Sequence, residues 1–496
     1  MDERINTRLP SWRTAVLLAI VLFVTYAPIL IVPYAFMDDY SLLFAAVRPQ
    51  SWERTQERVL KIADGRPLFA FLIDGAYHSL SSIADLRYLR AGGVFGISLL
   101  AWSLCRQGVR AGWGYHPSLF LSIVICTLPP FQVYASWAIS AFTPFAALIA
   151  GNAFVLAESG IDKQKVWSRW IHAIGAVSLF LVALLIYQPA AMFFCVFAAL
   201  VLLKSQVSPH FLLRRLCWHG GVMSVGLLAG FGVSKLGTAL YERELLGPSR
   251  IHLTADPWRK AVWFLYEPLA CALNQINLFP RWWSSLGMLI FITFGMLLYF
   301  HETRGERLWK LILCFSLLPV SYLPNLVAAE NWAAYRTQSA LAALVAVYTF
   351  FALWGYGRTV SRSTPICSVV GMFGIVALVS VLCAVHNVSM YFALPQLLES
   401  SWLRKQLAQR DLSHVSSIYI IGSRREDLLA PSWRYDEFGF PSSAAAWVPK
   451  PAVYLLLREM NPERVDLPIE AVSPTGPFTP PSDALVIDMR KMAEAR

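Results

Sequence analysis

The sequence predicts a polytopic α-helical membrane protein that carries a small α/β domain at its C-terminal end. Three observations predict it. Hydrophobic residues make up 56% of the 496 residues and charged residues only 15%. Apolar runs of about 20 residues, the length that crosses a bilayer as a helix, recur along the chain. Lys and Arg collect in alternate connections between those runs, the pattern that marks cytoplasmic loops.

About eleven runs qualify as spans. They fall at 14–35, 82–104, 117–134, 141–158, 170–187, 190–204, 218–240, 283–300, 310–328, 337–356 and 366–386. The run at 190–204 is short and begins after Pro189. The stretch 67–80 is apolar but too short to cross, which suits an interfacial or re-entrant segment. The first run follows Arg4, Arg8 and Arg13, as a signal peptide would. Its apolar core is too long and lacks a small-residue cleavage site, so it reads as a retained first span.

With the N-terminus inside, the basic connections all fall on one side. They hold Arg106 and Arg110, Lys163, Lys165 and Arg169, Lys204, Arg214 and Arg215, Arg304, Arg307 and Lys310, and Arg358 and Arg362. The short outer turns 135–140 and 188–189 carry neither Lys nor Arg. The net charge of +11 therefore has its origin at helix ends, and no nucleic-acid motif accompanies it. The membrane unit is 1–387, with outer loops 36–81, 241–282 and 329–336. The remainder, 388–496, reads as a soluble outer domain. There "SSIYIIG" (416–422) alternates like a strand. "PAVYLLLREM" (451–460) suits a helix opened by Pro451. "DALVIDM" (483–489) suits a second strand, and "SPTGPFTPP" (473–481) a turn-rich connector.

The eight Cys show no paired spacing, and Cys126, Cys195, Cys314 and Cys383 sit inside apolar runs. They read as small buried hydrophobes, without a disulfide framework or zinc site. The nine His lack HxH or HExxH spacing. His78 and His252, both in outer loops, are the two that could serve a site. Nucleotide-binding and serine-hydrolase motifs are absent.

The outer loops hold ionisable groups that a linker does not need. Asp38 and Asp39, in "PYAFMDDYSLL" (33–43), follow the first span directly. They could cap the next helix. Alternatively, a carboxylate pair held at the membrane plane faces a cavity or partner, and two adjacent carboxylates raise one another's pKa. In "DGRPLFAFLIDGAY" (64–77), Arg66 is either a snorkelling side chain before a Pro-initiated helix or a guanidinium aimed at an anion. In "NLVAAENWAAYRTQSAL" (325–341), Glu330, Trp332, Tyr335 and Arg336 form either an ordinary interfacial belt or an anionic-headgroup site gripped by Arg336. Loop 241–282 adds further charges, among them Arg250, His252, Arg259, Lys260 and Glu267, without singling one out.

Together with the hairpin "FQVYASWAISAFTPFAALIAGNAF" (131–154) and "YDEFGFPSS" (435–443) in the tail, these segments resemble the GT-C superfamily of membrane glycosyltransferases. The likeness is closest to its bacterial GtrII-type O-antigen glucosyltransferases. It covers the membrane part as architecture with short motifs. The resemblance implies a sugar donor on a polyprenyl phosphate and an acceptor hydroxyl or amide on the extracytoplasmic side, on an envelope glycan or a protein. It implies residence in the bacterial inner membrane. It implies that Asp38 acts as base, with Asp39 as partner, orienter or the base itself. It implies that Arg336 holds the lipid phosphate, with Arg66 assisting and Glu330 and Tyr335 completing the binding set. Some members use a divalent metal at the acidic motif. Here no third ligand follows from the sequence, so a metal is left open. An oxocarbenium-like transition state calls for carboxylates near the anomeric carbon, and a phosphate leaving group calls for cations rather than an acid. A single displacement inverts the anomeric centre.

Two other classes compete. A lipid-linked-sugar flippase or transporter needs charges along the spans, where Lys235, Glu158 and His172 are the few candidates. An O-antigen ligase or polymerase rests on a large late outer loop rather than on an acidic pair after the first span.

Overall fold

The computed structural model describes residues 9–48, 64–204, 209–241, 252–276, 281–302, 307–360, 365–409, 411–424, 437–472 and 479–492, together with Thr55, Arg58, Val59, Ile62 and Leu278. Within those residues it is a bundle of helices with one three-stranded sheet near the C-terminus.

Among the described residues, seven helices are long and apolar enough to cross a membrane, and a bent pair makes up to eight. The eleven-span count is not confirmed. Each expected run is mostly helical, but Trp12–Thr25, Gln188–Leu202 and Leu308–Val320 have only 10–17 residues. Helices of that length reach short of the ~30 Å of hydrocarbon. Prolines account for two of the interruptions. Leu128, before Pro129, is extended at φ −63°, ψ 155°. The helices on either side of it, Tyr115–Thr127 and Pro129–Ser136, meet at 60°. Pro disfavours helical geometry in the residue before it and opens the next helix well. Pro319 lies inside the last turn of Arg307–Val320.

Burial sorts the spans. The most apolar stretch of Ser339–Thr359 is 83% buried, whereas those of His210–Leu240 and Trp282–Tyr299 are 22% buried. The first is the centre of the bundle. The others expose Leu228, Ile290 and Phe294, as lipid-facing helices do.

The apolar stretch 67–80 forms the helix Pro67–His78. The last long helix runs unbroken from Val369 to Ala408 through a wide turn at Ser389–Ala393, so the 387/388 boundary falls inside it. Beyond it lie β1 (Ser417–Ile421), the helix Pro449–Met460, β2 (Ile469–Val472) and β3 (Ala484–Asp488). The sheet is parallel in the order β2-β1-β3, with Ile418 of β1 paired to Ile469 and Leu485. Both predicted strands and the helix are present, the helix starting at Pro449 rather than Pro451. Strand β2 is an addition that its four residues did not announce. The connector at 473–481 lies mostly outside the described residues.

The tail is fastened to the bundle. Glu399 accepts from the backbone N–H of Ser442 (3.0 Å) and Ser443 (2.7 Å). Gln396 Oε1 accepts from Ser442 Oγ at 2.7 Å, and Tyr454 meets Phe44 edge-on at 4.8 Å. These bonds satisfy polar groups that are buried at the junction.

Candidate functional site

The first apolar helix gives way to an unwound stretch, Val32–Met37, before the helix Asp38–Val47 begins. Its carbonyls need partners. Arg90, fully buried, donates Nε to Ile29 O and Nη1 to Tyr34 O, both at 2.9 Å, and stacks 4.0 Å over the Tyr34 ring. Tyr34 Oη donates to Ser136 O at 2.6 Å. Met37 turns the chain at φ +45°, ψ −111°, a conformation that non-glycine residues rarely adopt. Its N–H is held by Ser442 Oγ of the tail at 3.0 Å. The strained residue immediately precedes the acidic pair.

The two carboxylates part company here. Asp39 is fully buried. Its Oδ1 accepts from Tyr77 Oη (2.6 Å) and Ile139 N (3.1 Å), and its Oδ2 accepts from Phe36 N (3.1 Å). One side chain thus ties together the turn at Met37, the helix Pro67–His78 and the break between Ser136 and Ile139. Burial raises its pKa from 3.8 to about 6, against the Tyr77 hydrogen bond and the Arg90 charge. The expectation that the pair would raise one another is corrected for Asp39: desolvation is the cause. Asp38 is only partly buried, and its Oδ1 accepts from the indole Nε1 of Trp447 at 3.1 Å. Of the two, Asp38 is the one a ligand can reach.

Arg66 and Arg336, 270 positions apart in the chain, share a cavity of about 560 Å³. Leu184, Leu227, Leu228 and Phe231 give it an apolar wall, while Asp64, Arg66, His252, Asn325, Glu330 and Arg336 line its polar end. The loop segment carrying His252 is bound there by Ala329 N to His252 O (2.8 Å) and Thr254 N to Val327 O (2.9 Å). Lys260 Nζ braces the turn from the other side, donating to Glu330 O at 2.5 Å and Asn331 Oδ1 at 2.7 Å.

Both guanidinium groups already face carboxylates. Arg66 pairs with Asp64 at 2.8 Å. Arg336 pairs with Glu437 of the tail at 3.2 Å and lies 4.7 Å over the Trp137 ring. Trp137 also meets Phe36 at 5.1 Å, so its ring stands between the Asp38 turn and Arg336. Its indole N–H is buried and has no acceptor among the described residues. Asn325 Nδ2, on the cavity wall, is a second buried donor without one. A region that gathers two guanidiniums and two unsatisfied N–H donors favours a ligand with anionic or carbonyl oxygens.

Of the residues singled out in the sequence, Arg66, Arg336 and Glu330 line this cavity, with Glu330 exposed at its rim. Asp38 lies outside the lining and is joined to it through Phe36 and Trp137. Tyr335 is buried against Phe438 at 5.3 Å and is not part of the wall. His252 lines the cavity, whereas His78 ends its helix exposed to solvent. Glu437, Asp64, Trp137 and Asn325 were not singled out, although each lies in or beside a quoted motif. Their weight comes from what they meet, which spacing does not reveal.

Among the described residues no three His, Cys, Asp or Glu side chains gather as metal ligands. The acidic pair does not fit a bidentate metal site either, because Asp39 spends both oxygens on protein donors. A scan against protein-family models finds no match to this chain, and a search of curated proteins finds none.

Proposed function

We propose that the protein is a membrane glycosyltransferase that moves a sugar from a polyprenyl-phosphate donor to an acceptor on the extracytoplasmic side. The observation that carries this reading is the cavity: an apolar wall together with Arg66 and Arg336, and a partly buried carboxylate, Asp38, linked to Arg336 through the rings of Trp137 and Phe36. A prenyl chain suits the Leu and Phe wall, and its phosphate suits the guanidiniums. For the phosphate to bind, the pairs to Asp64 and Glu437 open or share their cation. The unsatisfied Asn325 Nδ2 on the cavity wall offers it a further bond.

In this reaction Asp38 takes the proton from the acceptor hydroxyl or amide as that group attacks the anomeric carbon. The new glycosidic bond forms while the bond from that carbon to the phosphate oxygen breaks. The electron pair leaves with the polyprenyl phosphate as an anion, and Arg336 and Arg66 stabilise it. A single displacement inverts the anomeric configuration. Asp39 holds the turn that aims Asp38, as a positioning residue. We place the site and the tail outside a bacterial cytoplasmic membrane. The basic ends then face the cytoplasm, and the three short helices cross with help from their flanking segments.

A transporter is less well supported. Glu158, one of its three candidates, is paired with Arg215 and hydrogen-bonded to His219 at 2.7 Å. The test is incubation of the purified protein with a panel of polyprenyl-phosphate sugars and envelope glycans or peptides. The reading requires that sugar moves to an acceptor and that Asp38→Asn stops it while donor binding persists. Donor binding without transfer, with lipid-linked sugar instead crossing vesicle membranes, would replace it by the transporter.

A further inference from the structure

We infer that Trp447, on the C-terminal tail, is the stacking platform of an acceptor subsite, and that this subsite takes a carbohydrate ring. The inference rests on the glycosyl-transfer reading and names its acceptor side.

Trp447 is 52% exposed, and it lies on the tail rather than on a span. It occupies a turn whose neighbours Ala445 and Val448 are buried. The segment behind it is pinned by the bonds of Ser442 and Ser443 to Glu399, of Ser442 to Gln396, and of Met37 N to Ser442 Oγ. The indole is thus held in place before any ligand arrives, which lowers the entropic cost of binding. Its Nε1 donates to Asp38 Oδ1 at 3.1 Å. That bond sets the indole edge against the carboxylate and leaves the ring beside the group we assign as base.

A flat apolar face next to a hydrogen-bonding carboxylate matches a pyranose, which has an apolar C–H face and a rim of hydroxyls. A ring laid on the indole would bring its hydroxyls toward Asp38. A quaternary ammonium ligand is a poorer fit, since such cations are held by cages of several rings. Among the described residues no other aromatic ring is in contact with Trp447. A peptide acceptor gains little from one isolated indole face.

The test uses the full-length protein in detergent or nanodiscs, with oligosaccharide acceptors, and reads acceptor and donor KM separately. Trp447→Ala should raise the acceptor KM about tenfold, the scale of one lost stacking contact, while donor KM stays within twofold. Trp447→Phe should recover most of the loss, and melting should confirm that both variants are folded. Saturation-transfer NMR of the same oligosaccharides supplies a readout that does not need transfer. An acceptor KM unchanged in Trp447→Ala, or a peptide as the only acceptor, overturns the subsite and leaves the transferase standing. Oligosaccharide binding that Trp447→Ala abolishes, in a protein that transfers no sugar, keeps the subsite and removes the transferase.

Discussion

Asp39→Asn should change the stability of this protein by an amount that depends on pH, and the sign is opposite to that of an ordinary buried ion pair. Burial lifts the carboxyl from 3.8 to about 6. Between about pH 4 and pH 6 the folded chain therefore keeps a proton that the unfolded chain has lost. Stability from this residue is complete below about pH 4 and falls as pH rises through 6. The gap corresponds to about 3 kcal/mol. Asn is neutral like the protonated acid and its oxygen can keep the bonds from Tyr77 and Ile139, but its NH₂ meets the Phe36 N–H donor to donor, a cost that does not vary with pH. From pH 4 to pH 8 the stability of the variant relative to the parent should therefore rise by up to about 3 kcal/mol, on top of a constant loss from the Phe36 bond. The assay is thermal or denaturant unfolding in detergent at both pH values. At this chain length the expected difference is a few degrees in the offset between the two melting points. An offset that is equal at both pH values, or that moves against the variant as pH rises, would refute the buried, ionisation-resisting carboxyl.

Four other outcomes follow from the geometry. Asp38→Asn should lower transfer about 10²–10⁴-fold, the range for loss of a general base, without weakening donor binding, as measured with a lipid-linked sugar. Arg336→Ala removes a cation from the buried Glu437 carboxylate and should cost about 3–5 kcal/mol. Arg336→Ala with Glu437→Gln should recover most of that in unfolding experiments, and full additivity would show that the pair is not coupled. Glu437→Gln alone removes one carboxylate from Arg336 and should lower the donor KM several-fold, whereas a raised donor KM would mean that the carboxylate orients the arginine rather than competing for it. Met37→Val forces a β-branched residue into positive φ and should destabilise by about 1–2 kcal/mol, while Met37→Gly should be close to neutral when melted alongside it.

Part of the architecture was legible because it is written locally. The spans show as apolar runs, and β1 and β3 show as alternating or apolar segments bounded by turn residues. The short helices were overcounted as spans because hydropathy does not reveal where a helix stops inside an apolar run: Trp12–Thr25 ends at Tyr26 although Pro28, Ile29 and Leu30 continue the apolar character. Strand β2 was missed because four residues carry too little periodicity. It is a strand because β1 offers it an edge.

The sequence by itself determined a helical membrane protein with acidic and basic groups concentrated between particular runs, since backbone polar groups in lipid must be satisfied within the helix. Only the tertiary structure decided which of two adjacent aspartates is sealed and which is open. It also brought Arg66 to Arg336, and set Glu437 against one and Asp64 against the other. Hydropathy is a property of neighbours along the chain. Desolvation and charge pairing depend on what the fold brings alongside, in this case residues up to hundreds of positions away.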